Sequence, residues 1–170
     1  MSHITKMQNG GLQTKRHERQ IENNNLMNTA AMQYVAPVVK AFMMEQAIDS
    51  TSLRSDGRLT LRLDERYRVH LHTAPHQRVA LTCQLVSLSS HWDQPAAQDL
   101  LQELCTIAAG MLQKHDSSLC LDERQQALCL QQFVAADAPV QVLQDALARF
   151  TNALAFWVPI CARRTHLLDS

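Results

Sequence analysis

Glycine is scarce: four in 170 residues, three of them before residue 58. No glycine-rich loop is therefore present to cradle a phosphate. Charge of one sign is missing as well, with 16 Lys and Arg against 16 Asp and Glu and a formal net charge of zero. No global basic field draws the chain to nucleic acid. Long apolar runs are absent. The longest, such as Ala153 to Val158, fall far short of the ~20 residues that a membrane-spanning helix requires. The first residues lack the apolar core of a signal peptide, so the cytoplasm is the expected compartment, without membrane insertion. Five cysteines (Cys83, Cys105, Cys120, Cys129, Cys161) are scattered, with no CxxC pair and an odd count. Each falls in a periodic apolar segment. They are expected to be buried, reduced thiols rather than a disulfide framework or activated nucleophiles. Carboxylates are dispersed over turns and helix faces. No catalytic constellation emerges, and the chain is expected to be non-enzymatic and without cofactors.

What is present is apolar patterning. Apolar residues make up 46% of the chain, which at this length suits one globular domain. Residues 1–27 are polar and read as a flexible tail, because they bury too little to offset their ordering entropy. Met27 opens the structured part and is a candidate start of a shorter product. The domain is expected over 28–162, followed by a C-terminal tail at 163–170.

Asn28 is the expected cap of a first helix reaching about Ile48, with Tyr34, Val35, Val38, Val39, Phe42, Met43 and Ala47 at helical spacing. Pro37 should bend or split it. After the Asp56-Gly57 turn, Leu59, Leu61 and Leu63 alternate with polar residues, as do Tyr67, Val69 and Leu71. A third run, Val79 to Leu88, places Val79, Leu81, Cys83 and Leu85 on one face and Ala80, Thr82 and Val86 on the other. Short connections predict an antiparallel meander. A second helix enters through Pro95 with a stripe of Ala97, Leu100, Leu101, Leu104, Ala108, Met111 and Leu112. Two short strands follow, around Leu119–Leu121 and Leu128–Leu130. Asp137 and Pro139 then open a last helix with a narrow seam at Leu143, Leu147, Phe150, Leu154, Trp157 and Cys161. Arg163 and Arg164 suit its negative end.

One constellation points to metal. His70 and His72 alternate on a strand and share a face, and His76 follows after the turn. Against zinc stand the neighbouring Arg62 and Arg68, which oppose a metal cation. The same residues read more simply as a polar strand face.

The order α-β-β-β-α-β-β-α resembles that of the class I chaperones of bacterial type III secretion. Asp56-Gly57-Arg58-Leu59-Thr60-Leu61 resembles the acidic-Gly turn opening that family's first strand. Val79 to Leu85 resembles its apolar third strand, and Asp99-Leu100-Leu101-Gln102-Glu103-Leu104 its second helix. Leu119 to Asp122 and Ala127 to Leu130 resemble its paired short strands, and Phe150-Thr151-Asn152 with Trp157 the end of its last helix. The chain departs from the family in its neutral charge, its polar N-terminal tail and Pro37. The resemblance implies an α+β fold, a twisted antiparallel sheet packed with three helices, assembled as a homodimer. It implies a chaperone that binds the N-terminal segment of one or more secreted effectors and keeps it non-globular, with the secretion ATPase a further candidate partner. A protein-interaction adaptor of the same fold, or a metal protein using His70, His72 and His76, are the alternatives. The effector surface is expected at Tyr34, Val38, Phe42, Met43, Leu61, Val69 and Leu71. The dimer interface is expected at Leu100, Leu104, Ala108, Met111 and Leu121, where small residues beside large ones suit a two-fold contact.

Overall fold

The computed structural model describes residues 31–88, 94–111 and 114–165. The expected cap at Asn28, the N-terminal tail and Leu112 lie outside the described residues. The elements run in the expected order: α1 (Pro37–Glu45), β1 (Leu59–Leu63), β2 (Tyr67–Ala74), β3 (Arg78–Ser87), α2 (Pro95–Met111), β4 (Ser118–Asp122), β5 (Ala127–Ala135) and α3 (Val140–Thr165). The five strands form one antiparallel sheet in the order β1-β2-β3-β5-β4. Short turns make β1, β2 and β3 a meander. β5 then enters beside β3, which leaves β1 and β4 as the two edges.

Pro37 splits the first helical stretch rather than bending it. Residues 31–33 make a helical turn. Ala36 is then extended (φ −63°, ψ 148°), as the residue before a proline prefers, and Pro37 opens α1. The Val38 N–H, which has no acceptor within the first turn of the helix, donates to the Ala136 carbonyl at 3.0 Å. That bond ties α1 to the chain leaving β5.

The turns carry the strain. Asp64 and Glu65 between β1 and β2, and His76 and Gln77 between β2 and β3, all have positive φ. Gly57 has φ +76°, and a Cβ there would lie 3.0 Å from the Tyr34 Cβ and 3.3 Å from the Ala31 carbonyl oxygen. Glycine is needed both for the backbone and for close approach of the first segment.

The core lies between one sheet face and the helices. α3 crosses β3 and β5, α1 packs beside α3, and α2 reaches α3 and β4. The whole α3 seam is buried, with Ala146 and Ala153 filling between the larger side chains. Facing it are Leu59, Val69, Leu71, Val79, Leu81, Cys83, Leu128, Leu130 and Val134. Strict alternation fails in one place. Gln84 pairs with Cys129 and Val86 with Leu128, so Leu85 is the extra residue of a bulge. Beyond it Val86 and Leu88 point inward, 6% and 0% exposed. This corrects the expectation that Val86 faces away from the core; Leu85 itself is partly buried against it.

α3 runs through Pro159 and reaches Thr165, past the boundary expected at 162. Pro159 lies on the exposed side and removes one donor there, while Trp157 and Cys161 hold the opposite side in the core. Arg163 and Arg164 occupy the last turn, and Arg164 pairs with Glu103 of α2.

Trp157 is 2% exposed and meets Phe156 edge to face at 5.2 Å. Trp157→Ala should cost ~3–5 kcal/mol in denaturant unfolding, and an unshifted midpoint would show the ring to be dispensable. Gly57→Ala should cost ~1–3 kcal/mol through backbone strain and the contact with Tyr34, read as a lower thermal midpoint.

Candidate partner-binding surfaces

The residues expected to meet an effector divide between surface and core. Tyr34 is 65% exposed, just before Pro37 at the end of the first helical piece. Its carbonyl accepts from the Thr73 hydroxyl at 2.7 Å, which fixes the residue over the end of β2. Leu61 is half-buried near the β1 edge. Val38, Phe42, Met43, Val69 and Leu71 lie instead in the core, between 0% and 8% exposed. This is a correction. The apolar face of α1 is the one that meets α3, and the apolar face of β2 is the helix-covered one, so these side chains stabilise the single chain. Met44, Phe133 and Val142 are further exposed apolar residues. Phe133 continues the β5 alternation on the face away from the helices, beneath the Arg78 guanidinium at 4.1 Å from its ring centre.

The expected dimer residues also divide. Leu100 and Leu104 point into the core, which corrects their assignment to an interface. Ala108 and Met111 are half-buried, and Leu121 is 48% exposed. The structure brings the C-terminal half of α2 against the edge strand β4. Between them lies a shallow groove of about 270 Å³ lined by Cys105, Ala108, Met111, Leu119 and Trp157 among others. An apolar groove beside an unpaired strand edge can accept another chain by packing and by strand pairing.

The sheet face away from the helices is polar along β1 and β2. Thr60 pairs with His70 and Arg62 with Arg68 across β1 and β2. The Thr60 hydroxyl lies 2.9 Å from His70 Nδ1. Burial, then the charges of Arg58, Arg68, His72 and Arg54, holds His70 below the usual histidine pKa. Burial followed by Arg58 does the same to His72, with Asp56 opposing. Arg58 Nε and His72 Nδ1 are buried without a hydrogen-bond partner. These residues line a groove of about 490 Å³ whose far wall is the β4–β5 turn with Asp122, Glu123 and Arg124. The structure brings His70 and His72 together, while His76 sits exposed in the β2–β3 turn. Among the described residues no group of three or more His, Cys, Asp or Glu is placed to hold a metal ion.

No protein-family model matches the sequence, and no curated protein sequence matches it. Solved structures do. The chain is similar to a structure of the ExsC–ExsE complex, at a TM-score of 0.54 and 18% identity, over 73% of this chain and 90% of the other. It is similar to one of the HopA1–SchA chaperone–effector complex, at 0.54 and 18%, over 79% and 97%. A third is the Yersinia pestis type III secretion chaperone SycH with a fragment of YscM2, at 0.48 and 14%, over 72% and 98%. The first two alignments show that the chain shares the α+β fold of chains solved in those two complexes. No helix among the described residues is long and apolar enough to cross a membrane.

The thiols check these exposures directly. Cys105 is exposed and Cys120 and Cys129 are half-buried, a correction to the expectation of five buried cysteines; Cys105 lies off the Ala97-Leu100-Leu104 stripe that faces the core. Burial pushes Cys83 and Cys161 up to about 11, and burial with smaller effects from Cys120, Asp122 and Cys83 pushes Cys129 up to about 12. At mildly alkaline pH, Cys105 should react with a disulfide reagent at least about tenfold faster than these three, with mass spectrometry locating the label.

Proposed function

We propose that this protein is a cytoplasmic type III secretion chaperone. It binds the N-terminal segment of one or more effectors, keeps it non-globular and export-competent, and promotes its delivery to the secretion apparatus, with the secretion ATPase as a further partner. The observation that carries this reading is the fold shared with SchA, solved in a chaperone–effector complex. The surfaces support it. Two edge strands (β1 bridged by Leu53 at Leu59) and apolar side chains left outside the core suit an extended chain, which gains affinity from main-chain pairing and from pockets for alternate side chains. Ordering such a segment costs several kcal/mol, so a large contact area is required, and a homodimer doubles the area on offer. Ala108, Met111 and Leu121 at the α2–β4 edge are the proposed dimer contacts. Tyr34 and Leu61, with the exposed Met44 of α1, are the proposed effector contacts. Holding a segment in this way needs no bond chemistry.

The test is co-expression with secreted proteins encoded nearby, followed by affinity capture and light scattering. A dimer of about 38 kDa, twice the 19.2 kDa chain, that retains an effector through its N-terminal segment is the expected result. Ala108→Glu with Leu121→Glu should yield a folded monomer. Tyr34→Ala should weaken capture by about tenfold with unchanged unfolding, as expected of an exposed aromatic anchor. A folded, non-secreted partner would make the protein an adaptor instead.

A further inference from the structure

The face of the sheet turned away from the helices carries an unbalanced charge that folding alone does not explain. Arg62 and Arg68 are directly opposed across β1 and β2, a like-charge pair that weakens the hairpin. Both are exposed, and among the described residues neither forms an ion pair with an acidic group. Among the described residues Arg58 pairs only with Asp56, at 3.8 Å, and its buried Nε–H has no acceptor. Arg54, Arg58, Arg66 and Arg68 line a second open groove of about 780 Å³ that shares Arg58 and His70 with the one described above. Arg62 lines neither groove but lies directly across from Arg68, so the donors run along one face of the hairpin, beside the β1 edge, which is bridged by Leu53 at Leu59.

We propose that this strip, centred on Arg58, Arg62 and Arg68, docks a short acidic stretch in an extended partner polypeptide. The proposal rests on the chaperone reading and adds the chemistry of the segment bound. Guanidinium groups take carboxylates in charge-assisted, often bidentate pairs, and bound carboxylates relieve the repulsion within the hairpin. The β1 edge supplies backbone groups that a peptide can pair with and a nucleic acid cannot. Asp122 and Glu123 close the far wall of the groove. They repel a uniform polyanion and tolerate an acidic stretch with neutral or basic flanks. With a formal net charge of zero, the chain also lacks the long-range attraction that non-specific nucleic-acid binding depends on.

The strip has a built-in response to pH. His70 is surrounded by Arg54, Arg58, Arg68 and His72, with the neutral Thr60 and Thr82 beside it, and His72 feels Arg58 and the opposing Asp56. Both imidazoles are therefore easily kept neutral in the free protein. A bound carboxylate favours their protonation, so affinity should rise as pH falls from about 7.5 to about 5.5, above the range where the peptide carboxylates titrate.

The test is fluorescence anisotropy on the full chain, with a labelled peptide carrying an Asp-Glu-Asp-Glu run between Gly-Ser flanks. Binding should weaken as salt is raised from about 50 mM to about 500 mM and should tighten toward lower pH. Arg62→Gln with Arg68→Gln should weaken it at least about tenfold, Arg62→Lys with Arg68→Lys should weaken it less because the charge remains while the bidentate geometry is lost, and Arg149→Gln should leave it unchanged. Both strip positions are exposed, and circular dichroism of each variant reports the fold. Equal binding of an all Gly-Ser peptide, equal binding of single-stranded DNA, or indifference to the glutamine pair would overturn the proposal. Effector capture is scored separately. A chain that captures its effector and ignores the acidic peptide refutes this surface alone, and one that binds the peptide and captures no effector refutes the chaperone reading on which the proposal rests.

Discussion

The packing of the α3 seam on the central β3–β5 pair constrains every other part of the molecule. A single long helix supplies a line of large apolar side chains from Leu143 to Cys161, all buried. The two strands beneath it present Val79, Leu81, Cys83, Leu128, Leu130 and Val134. Burial of such side chains is worth roughly 1.5–3 kcal/mol each, which makes this layer the dominant favourable contribution. The bulge at Leu85 belongs to the same constraint. It turns Val86 and Leu88 inward and so extends the apolar floor to the end of β3.

The surfaces open to partners follow from what that layer uses up. One sheet face is committed to the helices, with α1 held in place by the bond from Val38 to Ala136. The opposite face and both edges remain. On the opposite face, arginine and histidine crowd the β1–β2 half, and Phe133 with half-buried thiols and glutamines occupies the other half. At the β4 edge, α2 reaches over and leaves an apolar groove. Edge strands and an open sheet face present backbone and side-chain donors without a deep pocket.

Much of the architecture was legible in the order of residues. Period-two runs at Leu59–Leu63 and Tyr67–Leu71 are strands, and the spacing of Leu143 through Cys161 is a helix with one buried stripe, because both periods follow from local backbone geometry. The surfaces were less legible. Val38, Phe42, Met43, Val69 and Leu71 have the composition of a hydrophobic contact surface, and so do Leu100 and Leu104, yet all seven are packed inside the single chain. A pattern records that a face is apolar, not which neighbour covers it. Cys105 shows the converse, since a small apolar residue inside a periodic segment can still sit off the buried stripe.

The sequence by itself determined the elements, their order, the break at Pro37 and the left-handed turn at Gly57. These depend on dihedral preferences and side-chain periods within a few residues. Tertiary structure alone decided the entry of β5 beside β3, the bulge that turns Val86 inward, and the gathering of Arg54, Arg58, Arg66 and Arg68 along one groove. It also decided which apolar side chains remain exposed. Those outcomes depend on contacts between residues far apart in the chain, where one element's face is covered only once another has been placed against it.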